Sequence, residues 1–145
     1  MSSPVISSET VQHPPSTSTV ASGIQVTQFS RRIGDQSILY QVLRYPDRCL
    51  FVWIGTPSGE LANLAMTMPT IAASTSPNDS LGTTLFGTDF YEQSLSLSRK
   101  LARRLSGQKQ VYVSLNLPND SDNEMLLNEI EQGLFDHVRE NAHVY

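Results

Sequence analysis

Only one cysteine, Cys49, occurs in the 145 residues. An intramolecular disulfide and any multi-cysteine metal site are therefore excluded, and a reducing compartment is expected, the cytoplasm and also the nucleus. Charge is sparse at 17% of residues, and the formal net charge is −4. A general nucleic-acid binder needs a positive field, so that class is disfavoured. No apolar run reaches about 18 residues, the length of a membrane span. The first residues lack a basic start and an apolar core, so no secretory signal is expected. The sequons at Asn78 and Asn119 then have no use. Gly-rich phosphate loops and a GxSxG elbow are missing. The three histidines, His13, His137 and His143, are too scattered for a metal triad. No catalytic activity, cofactor, metal or small-molecule substrate is expected.

What is present centres on Leu95–Leu117. Phe90, Leu97, Leu101 and Leu105 repeat at helical spacing, with Ser94 and Ser98 beside them. Arg99, Lys100, Arg103 and Arg104 fall on the opposite side. Thr88 or Asp89 is placed to cap this helix, and Gly107 to end it. From Gln110 the period switches to two. Val111, Val113, Leu115 and Leu117 point one way, Tyr112, Ser114 and Asn116 the other.

The rest follows in chain order. Residues 1–22 are Ser/Thr/Val-rich with a Pro14–Pro15 pair, and they read as a disordered tail. Ile24–Ile33 and Ser37–Tyr45 read as strands around a Gly34–Asp35 turn. Cys49–Gly55, CLFVWIG, is the most apolar run. An unbroken apolar strand predicts a central place with both faces covered, and Trp53 in the core. Short links make these three strands an antiparallel meander. Leu61–Met68 is ambiguous: its period and residue types favour helix, while Pro69 and the meander favour one more strand. Pro69–Gly87 reads as a long polar loop with a short strand at Ser80–Phe86. A last helix spans 123–139, with Ser121 and Glu124 in capping-box register. Its buried stripe is Leu127, Ile130, Leu134 and Val138, and Gly133 within it signals close packing.

Few groupings carry chemistry. The basic side of the first helix suits an acidic protein surface, and a solvated face is its bland account. Nucleic acid would need aromatic platforms beside it. Asp120 to Glu140 holds seven acids and one base, able to pair with that basic helix or to face a partner. Asp120, Asp122, Glu124 and Glu131 fall in a calcium-loop register, but Met125 stands where that loop needs glycine. Cys49 with His137 would make a thiol pair; a buried inert thiol is the simpler account.

Four blocks in order, LFVWIG (Leu50–Gly55), LANLAM (Leu61–Met66), LARRL (Leu101–Leu105) and QVYVSLNL (Gln110–Leu117), resemble the proteasome assembly chaperone 4 family. The likeness runs from about Ile24 to Asn141. It favours strand over helix for Leu61–Met68. It implies one α+β domain over residues 23–145, an antiparallel sheet of about five to six strands packed by two main helices. It also implies a non-catalytic chaperone that pairs with proteasome assembly chaperone 3 and helps 20S proteasome α-subunits form their ring. The Ser/Thr/Pro tail and the long polar link over 69–87 depart from the family pattern. No catalytic residue and no interface residue is carried over from the resemblance. Arg99, Lys100, Arg103 and Arg104 are the candidate partner-binding residues. A general scaffold or trafficking module of similar fold, unrelated to the proteasome, fits the composition equally well.

Overall fold

A computed structural model describes residues 13–19, 23–46, 49–69, 80–87, 92–105, 109–117 and 124–145. Seven strands and two helices follow one another as β1 (His13–Thr19), β2 (Gln25–Ile33), β3 (Gln36–Tyr45), β4 (Cys49–Gly55), β5 (Leu64–Pro69), β6 (Ser80–Phe86), α1 (Gln93–Arg104), β7 (Gln110–Asn116) and α2 (Glu124–Glu140). One sheet holds all seven strands in the order β1-β2-β3-β4-β7-β5-β6.

β2, β3 and β4 form the expected antiparallel meander. The β2–β3 hairpin turns on two residues, with Gly34 at φ 59° where other residues are strained. The sheet as a whole is mixed, which corrects the expected antiparallel one. β7 lies between β4 and β5, parallel to β4 and antiparallel to β5. A parallel neighbour needs a crossover, and the stretch through β5, β6 and α1 supplies it. Seven strands replace the expected five to six. One addition is β1, inside the stretch read as a disordered tail. Pro15–Thr19 are exposed, so β1 is held by backbone pairing to β2 and by a 3.0 Å hydroxyl contact between Thr17 and Thr27. Composition misses such a strand because it buries almost no side chain. Its prolines suit an edge.

Both helices lie on one face. Ile38, Tyr40 and Val42 of β3, Leu50, Val52 and Ile54 of β4, and Val111, Val113 and Leu115 of β7 point toward them and are buried. Leu97, Leu101 and Ala102 of α1 and Leu126, Ile130, Leu134 and Val138 of α2 close the core from the other side. Each such burial stabilises by about 1.5–3 kcal/mol before ordering entropy is set against it. The stripe on α2 keeps Ile130, Leu134 and Val138 as expected, but its first position is Leu126, with Leu127 only half-buried.

Helix ends differ in detail. α1 begins at Gln93, with Glu92 at the cap in a left-handed conformation (φ 49°) and no side-chain cap. Its last turn closes by the Leu105 N–H donating to Leu101 O at 3.0 Å. The residues read as caps, Thr88, Asp89, Gly107 and Ser121, lie outside the described residues, as do Phe90, Asp120, Asp122 and residues 1–12.

The last residues fold back on the β2 end of the sheet. His137 is buried, stacked on Phe29 at 4.2 Å, with its Nε2 2.9 Å from the Tyr145 hydroxyl. Arg44 lies over the Tyr145 ring and donates to the Val144 carbonyl. Burial holds the His137 imidazole below its ordinary 6.5, with the Glu140 carboxylate opposing more weakly. Below that pH the unfolded chain takes up a proton that the folded chain resists. Stability should therefore be complete above about pH 6.5 and fall as the pH is lowered through the depressed folded value. Denaturant titrations at several pH values check this, and His137→Gln should flatten the acid limb.

Candidate interaction surface

Among the described residues the other face of the sheet carries no helix. Because side chains alternate, the residues between the core positions all point there. The pairings Leu39↔Gly55, Gln41↔Trp53 and Leu43↔Phe51, then Phe51↔Tyr112 and Met66↔Tyr112, set them side by side. Met68 and Leu81 continue the row toward the β6 edge and are 40% and 68% exposed. Phe51 and Tyr112 stack with ring centroids 6.3 Å apart. The result is a broad, mostly apolar surface on the strands that form the centre of the sheet. Monomeric proteins seldom leave such a patch open, and a larger one marks an interaction site.

This corrects two expectations about CLFVWIG. β4 is central, but only one of its faces is covered. Leu50, Val52 and Ile54 are buried, whereas Cys49, Phe51 and Trp53 are half-buried. Trp53 is not in the core. Its ring folds over Gly55, where a Cβ would lie 2.6 Å from ring carbon, and its N–H donates to the Glu60 carbonyl at 2.9 Å.

A polar clasp fixes the rim above Trp53. Asn116 Oδ1 accepts from the Ala62 and Asn63 N–H groups at 2.6 and 3.3 Å. Asn63 Nδ2 donates to Leu115 O at 3.2 Å, and Asn116 Nδ2 donates to Ser114 Oγ at 2.8 Å. Ser114 and Asn116 are thus buried polar groups with their bonds satisfied, the condition under which burial is tolerated. Below the clasp lies a cavity of about 660 Å³ lined by Ser16, Leu39, Gln41, Phe51, Trp53 and Leu61. Its lining is chiefly apolar, and Leu61 on its rim is 53% exposed. Among the described residues that line it there is no His, Cys, Asp, Glu or Lys.

Cys49 opens β4 on this face, and burial pushes its thiol above the ordinary range. His137 sits on the helix side of the sheet, so the two do not meet. Among the described residues no cluster of three His, Cys, Asp or Glu is placed to hold a metal.

The four basic residues of α1 are all exposed, but they do not form one surface. Lys100 pairs with Glu131 of α2 at 2.7 Å. The Arg104 guanidinium stands 4.8 Å over the Phe135 ring. These two tie α1 to α2. Arg99 leans the other way, over Gly82 of β6. Arg99 and Arg103 meet no carboxylate at ion-pair distance among the described residues. The acidic helix therefore pairs in part within the domain. The open sheet face differs from the expectation of a strand covered on both sides. The signal was available: CLFVWIG is apolar on both sides, while two helices suffice to cover one.

Comparison with known proteins agrees with the blocks noted in the sequence. The family model described as proteasome assembly chaperone 4 matches residues 37–117, more than half of the chain. The mouse protein named proteasome assembly chaperone 4 is 38% identical over 107 residues, 73% of this chain and 80% of its own length. The human protein of that name is 37% identical over 113 residues, 76% of this chain and 85% of its own. A chain from the crystal structure of a chaperone complex for yeast 20S proteasome assembly shares the fold. It matches with TM-score 0.50 at 13% identity, over 88% of this chain and 95% of its own. This chain belongs to the proteasome assembly chaperone 4 family.

Proposed function

We propose that the protein is a non-catalytic chaperone for 20S proteasome assembly, working in the cytoplasm and nucleus as one half of a heterodimer with proteasome assembly chaperone 3. One observation carries the reading. A sheet backed on one side by two helices presents on its other side a connected apolar surface centred on Phe51, Trp53 and Tyr112. A second sheet packed face to face would bury it about 10 Å away. The relatives' names and the fold supply the proteasome context. The same membership sets aside the scaffold reading unrelated to the proteasome.

The helix side stays outward in such a pair, and its charges are suited to the second task, selecting α-subunits while the ring forms. Arg99 and Arg103, which meet no carboxylate at ion-pair distance among the described residues, are assigned to that contact, while Lys100 and Arg104 hold α1 to α2. Changing Arg99 and Arg103 to Glu should reduce capture of α-subunits by the assembled heterodimer at least tenfold, and leave heterodimer formation intact. Co-purification followed by quantitation of each subunit checks both. Unchanged α-subunit capture would remove the basic helix from the account.

A further inference from the structure

The sheet has two edges, and they are protected very differently. β1 carries Pro14 and Pro15, residues that block addition of another strand. β6 reads SLGTTLF, with neither proline nor charge, and it ends the strand order on the far side. Leu81, Leu85 and Phe86 are 68%, 46% and 43% exposed. Among the described residues no strand pairs with its outer side. An uncharged, apolar, unpaired edge is a template for a further strand.

The ground beside that edge is basic. A Cβ on Gly82 would lie 2.9 Å from Arg99 Nε and 2.8 Å from a Leu95 methyl. The missing side chain lets α1 settle on β6, with the Arg99 guanidinium over the middle of the strand. Arg103 follows one turn on, on the same side of the helix. Lys100 and Arg104 are already occupied by Glu131 and Phe135. Arg99 therefore overlooks the edge, and Arg103, one turn along, meets no carboxylate at ion-pair distance among the described residues, in a chain whose net charge is −4.

We propose that the outer edge of β6, with Arg99 and Arg103, is a docking site for an extended acidic segment that joins the sheet as an eighth strand. A strand added there would run about 4.8 Å beyond β6. Its alternate side chains would lie under α1, where carboxylates meet the two guanidiniums. The side chains between them would face the open side of the sheet beside Leu81, where apolar residues fit. The partner is thus a segment alternating acidic and apolar residues. The proposal rests on the assignment of the basic helix to α-subunit contact, and adds the strand edge and the chemistry of what binds.

The test uses the full chain and a fluorescein-labelled peptide, acetyl-Val-Glu repeated four times, followed by anisotropy at low salt. Saturable binding is expected. Lys in place of Glu should abolish it, and Arg99→Glu with Arg103→Glu should weaken it at least tenfold in protein whose circular dichroism is unchanged. N-methylation of one of the two alternate sets of peptide amides should also abolish it, because only one set faces β6. Binding that survives N-methylation of each set in turn would mean charge attraction without strand pairing, and would overturn the proposal. So would the absence of binding, or equal binding by the double variant. Capture of α-subunits without peptide binding would remove the strand site alone. Peptide binding without α-subunit capture would keep the site and remove the proteasome reading.

Discussion

Phe51→Glu should weaken heterodimer formation at least a hundredfold, a loss of about 3 kcal/mol. Phe51 sits midway along the central strand, stacked near Tyr112 and paired with Leu43 on the helix-free face. It lines the cavity that would receive a partner side chain. In the free protein the new carboxylate reaches water, because the position is only half-buried. Between two packed sheets it would be stripped of water with no cation beside it, which costs several kcal/mol. The folded monomer should therefore survive, with far-ultraviolet dichroism unchanged, while isothermal titration with chaperone 3 loses its signal. The contrast matters. Val52→Glu, one residue along, points into the helix-backed core and should unfold the chain instead.

Gly133→Val should lower stability by about 3 kcal/mol. At Gly133, α2 crosses the sheet so closely that a Cβ would fall 2.8 Å from the Tyr40 hydroxyl and 2.9 Å from an Arg31 nitrogen. Arg31 can swing away, since its side chain is partly exposed. Tyr40 cannot. It is 1% exposed, stacked on Phe29 at 4.5 Å, and its hydroxyl donates to the Ile130 carbonyl of α2 at 2.9 Å. Glycine in mid-helix costs about 1 kcal/mol against alanine, so something must compensate, and close packing does. Gly133→Ala trades that gain against the clash. It should be destabilising alone and close to neutral with Tyr40→Phe, which removes the clashing oxygen. A double-mutant cycle by urea denaturation measures the coupling.

Local signals gave the elements. β4 falls at Cys49–Gly55 as read, and β2, β3, α1, β7 and α2 lie close to their expected spans, because a period of two or of 3.6 is written in adjacent residues. Gly133 also announced its packing. Partners across the sheet were not legible. β4 and β7 are some sixty residues apart, and nothing in either run says that one will sit parallel beside the other. β1 was lost for a different reason. Its stability comes from backbone bonds, which leave no hydrophobic pattern.

The interaction surface was legible in part. The composition of CLFVWIG was noticed, and both faces were assigned to one core. Only the placement of both helices on the same side shows that Phe51 and Trp53 are left outside the core. The basic helix was seen as one face, although its spacing already divides it. Arg99 and Arg103 form one row, Lys100 and Arg104 the next. The structure gives the second row to α2 and places Arg99 of the first above β6.

Trp53 is the chain's single tryptophan and stands in the surface that the account makes central. The most direct measurement is the ¹⁹F spectrum of protein labelled with 5-fluorotryptophan, titrated with unlabelled chaperone 3. A shifted, broadened resonance is expected at saturation, with loss of its response to a soluble paramagnetic agent. A resonance that stays in place and equally accessible in the heterodimer would show that the pair forms elsewhere, and would contradict the account.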